Sequence, residues 1–101
     1  RYMYTVFHIK TNGQDNSRTK NYHVGEIWKD YHKFALDWNS EYVAVYFDDH
    51  VAFYNNDKNY IKGFYNLYTI INLGVGGWAE EPSGSTNYAE MKVKYIRSFD
   101  Y

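Results

Sequence analysis

Tyr31-His32-Lys33-Phe34-Ala35-Leu36-Asp37-Trp38 is the stretch whose reading decides the fold class. Phe34, Leu36 and Trp38 alternate with other residues, the period-two pattern that sets one row of side chains on a single face of a half-buried strand. That alternation makes Trp38 a core residue. Asn39-Ser40-Glu41 then turns the chain, and two short strands are expected over residues 42–47 and 50–54. Between them, Asp48-Asp49 has the spacing of a two-residue hairpin loop, although glycine is the commoner second residue there. Asp49 is expected to adopt a positive φ, which aspartate tolerates better than most residues.

Toward the amino terminus, residues 4–11 combine β-branched and aromatic side chains and predict a strand. Asn12-Gly13 and the polar run to Lys20 predict a loop, and a further strand is expected over residues 21–27. Toward the carboxy terminus, residues 55–65 are polar and turn-rich and read as a connecting loop. Residues 67–75 are apolar and β-branched, which predicts a central strand rather than a helix. A glycine-rich loop carrying Trp78 follows, and then residues 91–99 alternate, with Met91, Val93 and Tyr95 on the face to be buried. No helix, repeat, linker or low-complexity segment is predicted. Seven strands in 101 residues describe one all-β domain, an antiparallel β-sandwich.

Composition narrows the function. Eleven Lys+Arg against twelve Asp+Glu leave a net charge of −1, so no basic field exists to neutralise many phosphates or to hold an anionic membrane surface. Neither nucleic acid nor membrane is an expected partner. No apolar run approaches the roughly 18 to 20 residues that span a bilayer. Arg1-Tyr2-Met3 does not open a signal peptide, and a start without an initiator methionine suggests a cleaved or excised segment of a soluble protein. The absence of cysteine removes disulfides, thiolate zinc sites and cysteine nucleophiles. His8, His23, His32 and His50 lie on separate predicted segments without a His-x-His or His-x-x-x-His pair, so no metal site is expected. Gly74-Val75-Gly76-Gly77 lacks the Gly-Lys-Ser/Thr ending of a phosphate loop, and no Gly-x-Ser-x-Gly elbow supports a serine triad. Aromatic residues make up 22% of the chain, 13 of them tyrosine. A tyrosine or tryptophan ring can fill a β-sheet core, or it can stack on a sugar and hydrogen-bond its hydroxyls.

The last third carries a resemblance. Residues 67–77 with Trp78, then Pro82, then Tyr88-Ala89-Glu90-Met91-Lys92-Val93-Lys94-Tyr95-Ile96-Arg97 resemble the carboxy-terminal signature of glycoside hydrolase family 16, the laminarinases and licheninases. Tyr31 to Trp38 is similar to that family's Phe-His-Thr-Tyr-Ala-x-Glu/Asp-Trp strand, and Tyr46-Phe47-Asp48-Asp49 stands where the family has Trp-Tyr-Val-Asp-Gly. The likeness runs over nearly the whole chain. It implies a concanavalin-like jelly roll with a glycan cleft on its concave sheet, partial here or completed by another chain or protomer.

The resemblance also implies what is missing. The family's catalytic motif, Glu-x-Asp-x-x-Glu or Glu-x-Asp-x-Glu, lies just before the region similar to residues 4–13, and no such motif occurs in this chain. Retaining hydrolysis needs two carboxyl groups about 5 to 5.5 Å apart. Asp48-Asp49 and Glu80-Glu81 are adjacent and would point to opposite faces of a strand, while Glu26 and Asp30 straddle an expected strand end. The carboxylates of an enzyme of this kind are therefore expected upstream of Arg1, and no catalytic residue is assigned.

Glycan-binding candidates follow residue by residue. The resemblance sets His8 at a cleft-lining position and Lys10 two residues along on the same face; each is otherwise an ordinary polar residue on a solvated sheet. Asn72, in an Ile-Ile-Asn-Leu run, must find a partner if buried, since an unpaired amide costs about 1 to 3 kcal/mol. The resemblance sets it on the cleft floor. Trp78 is implied as a stacking platform at the cleft rim, or else it covers a sheet edge. Tyr68 shares the predicted face of Ile70 and Asn72. The family's calcium-binding aspartate is replaced by Lys94, so no calcium and no other cofactor is expected.

The reading is a carboxy-terminal segment of a family 16-like hydrolase that acts on an extracellular polysaccharide such as a β-glucan. Two alternatives stand beside it. One is a noncatalytic, lectin-like module of a surface or phage tail-type protein. The other is a strand-pairing assembly module whose exposed edges pair between identical chains. The missing half-domain, as a separate chain or the rest of the parent protein, is a partner in the first reading.

Overall fold

The computed structural model describes residues 2–74, 83–84 and 88–100. The chain divides into two compact units, Arg1–Leu67 and Tyr68–Tyr101.

The first unit begins with a hairpin. Strand β1, Tyr2–Thr11, pairs antiparallel with β2, Gln14–His23, in unbroken register from Tyr2↔His23 to Thr11↔Gln14. Asn12 at φ 54° and Gly13 at φ 78° form the two-residue turn, in the left-handed region that Asn-Gly occupies readily. The loop expected from Asn12 to Lys20 is thus a strand. Its sequence, Gln-Asp-Asn-Ser-Arg-Thr-Lys-Asn-Tyr-His, has no apolar alternation because most of β2 is exposed, and β1 holds it by backbone pairing. Instead of a strand over residues 21–27, β2 ends at His23 and a single 3-10 turn covers Ile27–Lys29.

Three further strands form a second sheet in the order β3-β4-β5: β3 is Phe34–Trp38, β4 is Val43–Phe47 and β5 is His50–Asn55. Asp48 and Asp49 turn between β4 and β5 at φ 47° and 68°, so both aspartates take the left-handed conformation expected for Asp49. Register slips between Val45↔Phe53 and Tyr46↔Val51, which leaves Ala52 as an extra residue at a bulge, almost fully buried.

The two sheets of this unit pack inner face to inner face. Phe7 of β1 sets its ring edge-on to Phe53 of β5 at 4.8 Å and also meets Phe64 at 5.3 Å, while Tyr22 of β2 reaches Phe47 of β4 at 6.3 Å. The segment expected as a plain loop after β5 contains one helical turn, α1, Lys58–Ile61, which buries Tyr60 and Ile61. Asp57 caps it by accepting from the Asn59 N–H. Tyr60 sends its hydroxyl to the carbonyls of Phe7 (3.1 Å) and Asn16 (2.9 Å), tying α1 to both strands of the hairpin.

Trp38 departs from the expected core position. It is 36% exposed, with Phe34 at 56% and Leu36 at 49%. The row of alternating side chains is present on the inner face, opposite Val43, Val45 and Phe47, but β3 is an edge strand and the hairpin's rings reach β4 and β5. Alternation set the face; how far the other sheet extends over it set the burial.

In the second unit, the strands expected over residues 67–75 and 91–99 do not form among the described residues, and Tyr68, Ile70 and Phe99 are 82%, 71% and 85% exposed. An extended apolar segment becomes a strand only where a neighbour takes its N–H and C=O groups. None of the described residues pairs with these segments. All of the described strands are antiparallel, and the fold class is all-β, as the alternation predicts.

Candidate functional site

Period-two geometry and the Asn12-Gly13 turn together build a polar face on the outside of the hairpin. Tyr2, Tyr4, His8 and Lys10 of β1 share this face with Asp15 and Ser17 of β2, because Lys10 pairs with Asp15 and His8 with Ser17. Tyr2 and Tyr4 are 58% and 54% exposed, and Tyr2 meets His23 edge-on at 5.3 Å. His8 Nδ1 lies 3.3 Å from both carboxylate oxygens of Asp15. An ionised carboxylate only accepts, so Nδ1 is the donor and Nε2 is left to face solvent. Lys10 makes no ion pair among the described residues, although Asp15 stands opposite it in register. The face thus presents an imidazole nitrogen, an ammonium donor, a carboxylate acceptor and aromatic rings. At the hairpin tip it continues into a polar depression of about 290 Å³ lined by Thr11, Asn12, Gln14, Asp15 and Asn16.

The structure therefore brings together His8 and Lys10 on one face, as their spacing predicts. Tyr68 and Asn72 lie in the second unit, both exposed and outside any strand, so Asn72 is not a buried amide in need of a partner. Trp78 lies outside the described residues. Asp15 escaped the sequence reading, yet its signal was there: a two-residue Asn-Gly hairpin fixes the register and sets Asp15 across from Lys10.

Glu80 and Glu81 lie outside the described residues, and the pairs Asp48 with Asp49 and Glu26 with Asp30 serve turns and ion pairs. Glu26 and Asp30 flank the 3-10 turn, and Glu26 pairs with Lys29. Asp48 serves the β4–β5 turn, where His32 and the Lys33 N–H bond it and hold its carboxyl below the usual carboxylate range. Asp57 lies lower than usual as well, through Arg18 at 2.9 Å. No group of three His, Asp or Glu side chains suited to a metal occurs among the described residues. A second depression, of about 350 Å³, lies beside Trp38, Phe64, Lys58 and Lys62 and holds no carboxylate.

The sequence pattern of glycosyl hydrolases family 16 matches residues 2–97. The all-β chain with its polar, aromatic hairpin face is a carbohydrate-active domain of the glycoside hydrolase type. It belongs to glycosyl hydrolases family 16. Comparison with curated proteins and with solved structures returns no match.

Proposed function

We propose that this chain is the saccharide-recognising carboxy-terminal segment of a family 16 glycoside hydrolase that acts on an extracellular polysaccharide such as a β-glucan. The observation that carries the reading is a family match over residues 2–97 in a chain with no Glu-x-Asp-x-x-Glu or Glu-x-Asp-x-Glu motif. The sequence keeps the candidate recognition residues and has no motif that would supply the two carboxyl groups of the retaining mechanism. In the first unit His8 and Lys10 hydrogen-bond sugar hydroxyls from the hairpin face; Tyr68, Asn72 and Trp78 are separate glycan contacts that the family resemblance implies.

Affinity electrophoresis of the chain in gels containing laminarin or lichenan tests this. Retardation is expected in at least one glucan, without release of reducing sugar. His8→Ala should reduce it, and Trp78→Ala should weaken binding by about 0.5 to 1.5 kcal/mol. Unretarded migration in both glucans sinks the proposal.

One observation favours a second reading. Among the described residues β3 is an edge strand with Phe34 and Leu36 half exposed, and such an edge with apolar neighbours invites another strand. In this reading the partner is the rest of the jelly roll or an identical chain. Light scattering that gives a monodisperse monomer removes the identical chain.

A further inference from the structure

The sheet of β3, β4 and β5 turns one face toward the hairpin and the other outward. Cross-strand register places Asp37 of β3, Ala44 and Tyr46 of β4, and Val51 and Tyr54 of β5 on the outer face. Tyr42, just ahead of β4, stacks on Tyr54 with 5.7 Å between ring centroids and 26° between planes. Its hydroxyl donates to Asp37 Oδ2 at 2.9 Å, and this bond raises the phenol's pKa, so Tyr42 remains a donor across the ordinary pH range. Ala44 lies between Asp37 and Tyr54 in register and is completely buried. Tyr54 still exposes 56% of its surface and Val51 53%. Asp37 Oδ1 makes no hydrogen bond among the described residues.

We propose that this outer face is a second saccharide platform, on which a neutral pyranose stacks against Tyr54 while its hydroxyls donate to Asp37 Oδ1. A pyranose has an apolar C–H face edged by hydroxyl donors. Here a ring held on one side by Tyr42 offers its other side, next to a half-buried carboxylate whose orientation is fixed. The same carboxylate disfavours an apolar protein partner, which would strip its water without supplying donors. Being negative, it also disfavours acidic sugars. The class of ligand rests on the carbohydrate reading above; the place rests on the outer face alone. Because the two sheets pack by their inner faces, this platform and the His8 face look away from each other. Two segments of a long polysaccharide can occupy them together and gain avidity that a short oligosaccharide does not have.

Nuclear magnetic resonance titration of the full chain with laminarihexaose tests the platform. Amide shifts are expected at Asp37, Tyr42 and Tyr54, separate from shifts at His8 and Lys10. Tyr54→Ala should weaken the outer-face set about fivefold and leave the hairpin set unchanged, whereas Tyr54→Phe should keep both. Asp37→Asn, which retains shape, should weaken only the outer-face set. Shifts confined to the hairpin, or an outer-face set indifferent to Tyr54→Ala, overturn the platform and leave the hairpin reading standing. Shifts confined to the outer face keep the platform and remove the hairpin, and a spectrum without shifts overturns both.

Discussion

His32 Nδ1 and Asp48 Oδ2 stand 2.6 Å apart where the turn between β4 and β5 meets the entrance to β3. The other oxygen of Asp48 accepts the Lys33 N–H at 2.8 Å, the Asp48 N–H returns a bond to the Lys33 carbonyl at 2.9 Å, and the His32 ring lies on Phe47 at 5.0 Å. A residue in the left-handed region, which costs an L side chain energy, is thereby anchored at both its carboxylate and its backbone. The His32 bond, then the Lys33 N–H, lowers the Asp48 pKa, with His50 adding a smaller attraction. A group whose folded pKa is depressed stabilises the fold above its unfolded value, about 3.9, and loses that contribution as pH falls through the folded value. The urea midpoint of the wild type should therefore exceed that of Asp48→Asn at pH 6, and the gap should close as pH falls below about 4. A gap of constant size would show that the charge of Asp48 is irrelevant.

Tyr60 is nearly fully buried, and its single hydroxyl serves the carbonyls of both Phe7 and Asn16, with the Arg18 guanidinium 3.9 Å from its ring centre. Tyr60→Phe keeps the ring and removes the side-chain donor shared by two carbonyls of the β1–β2 ladder. A loss of about 1 to 2 kcal/mol in urea unfolding is expected. Unchanged stability would mean that water replaces the hydroxyl without cost.

Gly63 lies against β1 so closely that an added Cβ would stand 3.0 Å from Ile9 Cγ2, 3.2 Å from its Cβ and 3.3 Å from its Cδ1. Ile9 is β-branched and stiff at χ1, so it yields poorly. Gly63→Ala should cost about 1 to 3 kcal/mol, and Ile9→Ala in the same chain should relieve the part of the clash made by Cγ2 and Cδ1, the Cβ contact remaining. Strictly additive thermal shifts from the two substitutions would refute this contact.

His8 Nδ1 lies 3.3 Å from both Asp15 carboxylate oxygens, so in the proposed glycan site the two would act as a unit. Asp15→Ala and His8→Ala should each weaken retardation in a β-glucan gel, and the double variant should be scarcely weaker than His8→Ala alone. Independent effects would mean that Asp15 contacts the glycan directly and does not orient the imidazole.

What the amino-acid order determines by itself is facing and turning. The alternation of Phe34, Leu36 and Trp38 sets one face of β3, Asp48-Asp49 turns the next hairpin, and the spacing of His8 and Lys10 puts them on one side of β1, because side chains alternate along any extended backbone. The succession of strand motifs likewise carried the family. Tertiary structure alone decided pairing and coverage. Polar residues 14–20 became strand because β1 lay alongside, whereas apolar residues 67–74 did not because no described strand does. The same cause buried Tyr60 in a segment that reads as loop and left Trp38 at the sheet's margin. Local periodicity fixes the direction of a side chain; burial and backbone pairing depend on which distant segment arrives opposite it, and that information is not local.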